Sequence, residues 1–561
     1  MSLQFITGNS GNGKTKYLFN RIVKEAKANP RDNYLVIVPE QFTMQTQRQL
    51  VDLSENKAIM NIDVLSFKRL AYRVFDELGI TNLTVLEETG KNLVLRKLAA
   101  QEADKLGVIG RNLNRIGYIS EVKSLLSELV QYNISPEELG RYIASGRLSD
   151  TLSDKLKDVL VLYEAFEKFM QDKYITAEEI LNVLSNVAEE SAILRNSVIA
   201  FDEFTGFTPI QNQLIKKLFV ISKKIYVTLT IDCREDIFKS RGMQELFDMP
   251  KRTVKSLTEM AAFYGIEVEE PIILDKNYRL AENEELSFME QQLFRKRRCS
   301  FKKEPKHIHI DCLRDPKQEL TKIARRINEL VRNENLRYRD IAIVTGDVNI
   351  YAGYVREIFD KYNIPYFIDA TQEILFHPFI EFIRSIPDIA AQNFSADAVF
   401  RFLRCGFSEL LDSEIDVLEN YVLACGVRGK SAWDKKWVRL PKHKAGYDLE
   451  LLNQSREYIM ELLKPVYQVF SDKKSTVKDY VLAIYKLIVL LDIPDKLAKK
   501  EQALLDAGDQ TASKEYGQIY KIVMQLFEKY VAVLGDECMD AEEFTQILDA
   551  GLDAVNISLD T

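Results

Sequence analysis

Gly8-Asn9-Ser10-Gly11-Asn12-Gly13-Lys14-Thr15 is a complete G-x-x-x-x-G-K-T run, and its neighbours decide the fold. Before it, Leu3-Gln4-Phe5-Ile6 alternates like a short strand. After it, Tyr17-Leu18-Phe19 and Ile22-Val23 fall on the inner face of a helix. Strand, glycine loop and helix in that order turn a spacing into a mechanism. The loop N–H groups and the helix N-terminus cradle phosphates. Lys14 is placed to neutralise β and γ oxygens, and Thr15 to hold Mg²⁺. Residues Gly8 to Thr15 are therefore the expected ATP contacts.

The chain has 561 residues, enough for roughly three to four domains. Hydrophobic residues make up 46%, while Gly (23) and Pro (14) are sparse, which points to a helix-rich chain with ample core. The net charge of −8 excludes a simple basic nucleic-acid binder, so any DNA contact needs local basic patches. The six cysteines are scattered with no C-x-x-C, against a zinc site or a disulfide framework. The four histidines form no ligand cluster, and His307 and His309 alternate along a predicted strand. With no signal segment ahead of the loop strand and no bilayer-length apolar stretch, a cytoplasmic protein is expected.

Further strands are predicted at 33–38 (NYLVIV), Ile62 to Leu65, 197–201 (SVIAF) and 225–231 (IYVTLTI). They are apolar and β-branched, as buried parallel strands are. Their alternation with helical patterns predicts an α/β fold, a doubly wound parallel sheet. Residues 85–194 read instead as a helical insertion, with Leu152, Leu156, Val159, Tyr163, Phe166 and Met170 on one stripe. A second α/β pattern follows: strands at 307–312, 340–344 and 365–368, with helices at 319–331 and 351–362. Residues 378–561 read as mostly helical. The expected division is a P-loop domain (1–84 plus 195–290), the insertion (85–194), the start of a second RecA-like domain (291–377) and a helical domain (378–561).

A phosphate loop needs an acidic partner, and Asp202-Glu203 ends the SVIAF strand where one belongs. Asp202 is expected to hold Mg²⁺, and Glu203 to act as general base on the attacking water. Asp202-Glu203-Phe204 with Gln211 resembles the DEFQDTNxxQ signature of superfamily 1 helicases of the UvrD/Rep type. The run 232–242 (DCREDIFKSRG) resembles a degenerate form of that family's DxDQSIYxFRG motif, with Arg241 in place. Residues 274–279 (LDKNYR) match LxxNYR, whose arginine is an in-cis finger on the γ-phosphate. The resemblance thus adds Gln211 and Arg241 to the ATP contacts and makes Arg279 catalytic. Together with VPEQFT at 38–43, FDEFTGFTP at 201–209 and the segment 418–437, these motifs resemble the AddB (RexB) family over essentially the whole chain.

That resemblance implies an ATP-binding, helicase-like subunit of a helicase–nuclease that processes double-strand DNA breaks for recombination. It also implies an AddA-type partner carrying the main motor, and scanning of the passing strand for a short regulatory sequence (Chi). Gln41, Thr43, Ser66 and Phe67 resemble the family's DNA-contacting positions. A base stacked on Phe67 would be worth about 1–3 kcal/mol, the alternative being a core aromatic at a helix start. The run Arg295 to Arg298 is either a phosphate contact or a solvated linker.

Family members are about twice as long and carry a C-terminal RecB-type nuclease with a 4Fe–4S cluster. Neither the nuclease carboxylates nor cluster-spaced cysteines occur here, so neither activity nor cluster is expected of this chain. Thr205 replaces the glutamine after DEF, Glu235 replaces a γ-phosphate-sensing glutamine, and the last motif's arginine is absent. Losing one arginine finger costs about 10³-fold or more in rate, so ATP–Mg²⁺ is expected to bind and turn over slowly. The alternatives are a stand-alone P-loop NTPase or kinase, which would need an acceptor pocket and lid arginines, and a non-functional remnant.

Overall fold

The computed structural model describes residues 1–561 except 81–84, 87, 109–117, 147, 171–173, 296–298, 369–371, 374–375, 442–446, 473, 554–555 and 558–561. The chain forms two compact units. One comprises Met1–Val85, Leu125–Ala144 and Phe169–Asp311, and the other Leu86–Ser124, Ser145–Lys168 and Cys312–Thr561. Residues 85–194 are thus shared between the two.

The first unit is built on strands β1 (Ser2–Gly8), β2 (Tyr34–Ile37), β3 (Ile62–Leu65), β4 (Val198–Phe201), β5 (Lys224–Thr230), β6 (Glu267–Val268) and β7 (Ile272–Leu274). They form one seven-stranded sheet in the order β3-β2-β4-β5-β1-β6, with β7 also on β1. Every pairing is parallel, and β1 runs beside β5 from Ser2↔Lys224 to Gly8↔Thr230. The apolar runs dictate this, because β2 and β4 are buried at every position and only a central strand is covered on both faces.

Alternation along each strand sorts the core into two layers. Phe5, Ile37, Ile199 and Phe201 share one cluster with Leu70 and Val74 of the helix Phe67–Leu78 and Leu214 and Leu218 of the helix Pro209–Ile221. Ile6, Val36, Ala200 and Tyr226 share another with Leu18 and Ile22 of the helix Lys14–Ala28 and Leu50 of the helix Thr43–Leu53. Helices therefore cover both faces of the sheet. Each fully buried Leu, Ile or Phe contributes roughly 1.5–3 kcal/mol, so the strand ends that carry the chemistry rest on a stiff platform.

The second unit is helical around one large core that includes Phe379, Phe382, Leu418, Trp433, Tyr480 and Tyr530. Of the predicted stripe, Val159, Tyr163 and Phe166 are buried, while Leu152 is exposed. In this unit the helices Pro316–Asn333 and Val348–Lys361 form where expected and pack Leu320, Ala324 and Ile327 against Ile358 and Phe359. The strands predicted at 307–312, 340–344 and 365–368 do not form: these segments pair with no strand among the described residues. Ile310 is 93% exposed and Val344 92%. The reason is physical: an extended segment becomes a strand only when a neighbour completes its ladder of hydrogen bonds. No described helix is long and apolar enough to cross a membrane.

Candidate nucleotide site

The carboxyl end of β1 runs directly into the glycine loop. Gly11 (φ +87°) and Gly13 (φ +79°) hold left-handed backbone that a side chain would strain, and the helix begins at Lys14 immediately after. Lys14 folds back onto the loop: its Nζ donates to the carbonyls of Gly8 (3.1 Å) and Asn9 (3.0 Å). Burial pushes the Lys14 ammonium below its ordinary value, while Glu203 and Asp202 pull it back up and Arg279 adds to the lowering. Contacts agree with those charges: Glu203 reaches the loop at Thr15, and Arg279 lies against Gly11.

Asp202 lies just past the end of β4, 1% exposed. One carboxylate oxygen accepts from the Thr228 hydroxyl of β5, and the other, Oδ2, is buried with no partner at hydrogen-bonding geometry among the described residues. Burial raises its pKa above the usual carboxylate range. A buried, half-satisfied carboxylate is the donor a hard divalent cation takes, and Thr15 adds a hydroxyl beside it. The residues present therefore fit Mg²⁺. Glu203 adopts φ +62°, a conformation that costs a non-glycine residue roughly 1–3 kcal/mol. The turn brings its carboxylate to the loop, where Thr15 Oγ1 donates to it at 3.3 Å.

A strap from the end of β7 closes over the loop. Asn12 Nδ2 donates to the Leu274 carbonyl (2.6 Å), Asn277 Nδ2 to the Ser10 carbonyl (2.9 Å) and the Tyr278 N–H to the Gly11 carbonyl (3.0 Å). The Tyr278 ring faces Gly13. Asn9 is held from two sides, donating to Glu290 Oε1 (2.9 Å) and accepting from the Cys233 N–H (2.9 Å). These strap contacts explain why NYR sits where it does in the sequence. Sequence reasoning assigned no role to Asn277, Thr228 or Glu290. For Asn277 the signal was its place in NYR, and for the other two there was none.

Other predicted residues are engaged elsewhere. Gln211 caps the helix Pro209–Ile221, its Oε1 accepting from the Thr208 N–H at 2.9 Å. Arg241 is exposed beside Glu245. Neither hydrogen-bonds the glycine loop among the described residues. Glu235 is not a bare charge: Lys251, 4% exposed, pairs with it at 2.6 Å and with Glu245 at 3.2 Å. Asp232, just past the end of β5, is clamped by Arg234 (2.6 Å) and Arg295 (3.1 Å). Those guanidinium bonds outweigh the upward pull of burial and hold its carboxyl well below the usual range.

Of the DNA-directed residues, Gln41 alone is exposed. Thr43 Oγ1 donates to the Glu40 carbonyl at 3.0 Å, and Ser66 caps the helix Phe67–Leu78 while bonding the Glu40 carboxylate. Phe67 is 7% exposed and stacks on Phe201 at 5.8 Å, with Phe204 and Phe207 edge-on. It is a core aromatic in this structure, with no face free for a base. Arg295 is taken by Asp232 and lies over the Phe247 ring, so it is not a solvated linker residue. Residues 296–298 lie outside the described residues. No three His, Cys, Asp or Glu side chains among the described residues converge to hold a metal.

Fold and site together define a parallel, doubly covered α/β protein whose first strand delivers a glycine loop to a strand-end carboxylate pair. The model of the AddB N-terminal family matches residues 5–290, and the chain belongs to that family. It is 38% identical over its whole length to an ATP-dependent helicase/deoxyribonuclease subunit of Lachnoclostridium phytofermentans, covering 49% of that protein. It is 32% identical to the like-named proteins from Clostridium acetobutylicum (98% of this chain, 48% of that one) and Caldanaerobacter subterraneus (100% and 49%). The chain thus spans about half the length of the curated relatives it matches.

Proposed function

We propose that this chain is an ATP-binding, superfamily 1 helicase-like subunit of a two-subunit helicase–nuclease acting on double-strand DNA breaks, paired with an AddA-type protein. One observation carries the reading: a glycine loop is met from one side by Glu203, which accepts from Thr15 at 3.3 Å, and from the other by the strap, where Asn277 bonds Ser10 at 2.9 Å and Arg279 lies against Gly11. Lys14 swings away from the Gly8 and Asn9 carbonyls to meet β and γ oxygens. Thr15 and Asp202 would hold Mg²⁺, which would neutralise phosphate charge. Glu203 faces the loop as the base that takes a proton from water, and Arg279 enters from the strap. That the relatives are named as subunits supports a partner.

Turnover is slow in this reading. Glu235 stands where a neutral glutamine would sense the γ-phosphate, and its pairing with Lys251 offsets its repulsion without supplying a sensor. Thr205 uses its carbonyl to hold Thr253 at 3.0 Å. DNA strand contact, including scanning for a short sequence, would involve Gln41 together with basic surface elsewhere. ATP affinity and turnover of the wild type and Lys14→Ala test the reading. The expectation is an affinity at least about tenfold weaker for the variant, as for one lost charged phosphate contact, and slow hydrolysis by the wild type. Equal affinities would reject the ATP site, and fast DNA-stimulated hydrolysis would reject the slow motor.

A further inference from the structure

The chain contains only two tryptophans, and both anchor one loop in the helical unit. Trp433 is fully buried and Trp437 is 7% exposed, with ring centroids 5.2 Å apart. Tyr421 stacks on Trp437 at 5.1 Å, and its hydroxyl donates to the Arg439 carbonyl at 2.7 Å. Buried Asn453 exchanges two hydrogen bonds of 2.9 Å with the Trp437 backbone, and buried Arg456 donates to the Trp433 carbonyl at 2.9 Å. Left-handed turns at Gly426 (φ +65°) and Gly429 (φ +77°) open the loop. The backbone between 426 and 440 is therefore fixed at both anchors.

What this frame presents is charge. Arg428, Lys435, Lys436 and Arg439 are all exposed. None of them makes an ion pair among the described residues, whereas Lys430 is taken by Asp434 at 2.5 Å. Between the cations, Val438 is 79% exposed and Leu440 52%. Asp434 is the loop's one acid, in a chain whose overall charge is −8. Four cations without an ion pair among the described residues repel one another on a pinned loop, and a polyanion would relieve that repulsion. Their long side chains on a rigid backbone suit the repeated charge of a phosphodiester chain.

We propose that the tryptophan-anchored loop 426–440 is a nucleic-acid backbone site that takes the phosphates of a DNA strand without reading its bases. The choice of DNA over other polyanions rests on the function proposed above, whereas the site rests on the loop itself. Because the anchors are the only tryptophans, intrinsic fluorescence reports on this loop directly.

The test uses the full chain, a fluorescein-labelled oligo-dT strand and a poly-glutamate control, comparing wild type with R428Q/K435Q/K436Q/R439Q and with K435R/K436R. Each single-strand phosphate contact contributes about 0.7 to the salt slope, so the fourfold variant should lose close to 3 from its slope of log affinity against log salt. K435R/K436R should keep the wild-type slope. Oligo-dT should change tryptophan emission in the wild type but not in the fourfold variant, whose unliganded emission should match the wild type if the anchors remain packed. Wild-type binding with an unchanged slope in the fourfold variant would overturn the loop alone. No DNA binding by the wild type would overturn the DNA reading with it. Loss of poly-glutamate binding with DNA binding intact would make the loop a docking face for acidic protein and overturn the proposal.

Discussion

Arg279 lies against Gly11 so closely that a methyl group on Gly11 would sit 2.9 Å from the Arg279 Cβ and 2.9 Å from Asn277 Oδ1. The strap thus uses the missing side chain of the loop as its seat. Gly11→Ala should cost stability through its φ of +87° and also lift the strap from the loop. The conformational part is about 1–2 kcal/mol. Gly79→Ala is the matched control, with φ +68° and nothing within 4 Å of the added methyl. Both variants should lose stability in denaturant titrations, Gly11→Ala more because its methyl also meets the strap. Only Gly11→Ala should also lose ATP affinity, by tenfold or more on the reasoning that a displaced Arg279 forfeits a charged phosphate contact. Calorimetric titration of both decides it, and equal ATP affinities would mean the strap does not position Arg279.

Asp202 sets stability against function. Burial raises its folded pKa, so the fold favours the protonated carboxyl. The sign follows: stability tied to that proton is present at low pH and lost as pH rises through the folded value. Once ionised, the side chain is a cost to the fold, because Oδ2 has no partner at hydrogen-bonding geometry among the described residues. Asp202→Asn keeps an acceptor for the Thr228 hydroxyl and removes the charge. Its melting temperature without nucleotide should rise, the stability gained being about 1.4 kcal/mol for each pKa unit relieved. ATP–Mg²⁺ at a hundredfold excess over Kd should stabilise the wild type by about 2.7 kcal/mol and the variant hardly at all. A variant that melts lower yet still responds to Mg²⁺ would remove Asp202 from the cation site.

Much of this site was legible because its signals are local. The glycine spacing, the apolar strand before it and the carboxylate pair after SVIAF each need only a short window of sequence, and β1, β3 and β4 fall at or within a residue or two of the expected positions. The strap was legible as a motif but not as a geometry, since the Leu274 and Gly11 contacts join residues more than 260 positions apart. Glu235 looked like a misplaced charge because its neutralising partner, Lys251, belongs to a helix with no motif of its own. Phe67 was undecidable for a similar reason: an aromatic at a helix start gives the same local pattern whether it meets a base or Phe201. The segments 307–312, 340–344 and 365–368 carry genuine strand composition. Composition fixes which face a strand would bury, but its existence depends on partners elsewhere in the chain.

His377 ties the stability of the helical unit to pH. It caps the helix Pro378–Ala391, its Nδ1 accepting from the Phe379 N–H at 3.1 Å, and its ring packs 4.4 Å from Tyr516. Nε2 is buried without a partner among the described residues, and burial lowers the imidazole pKa to about 4. Protonation would place a charge where no acceptor waits, so the folded state resists it while the unfolded chain takes up the proton near pH 6.5. The unfolded state therefore binds more protons between those values, and stability rises with pH across that window. The contribution is complete above pH 6.5 and is lost as pH falls toward 4, in all about 3 kcal/mol at 1.4 kcal/mol per unit. His377→Asn retains a capping acceptor and does not titrate. Carboxylates common to both proteins cancel in the difference between their denaturation free energies. That difference should change by about 3 kcal/mol from pH 7 to pH 4, the wild type losing more, whereas parallel curves would mean that the imidazole is already solvated in the folded chain.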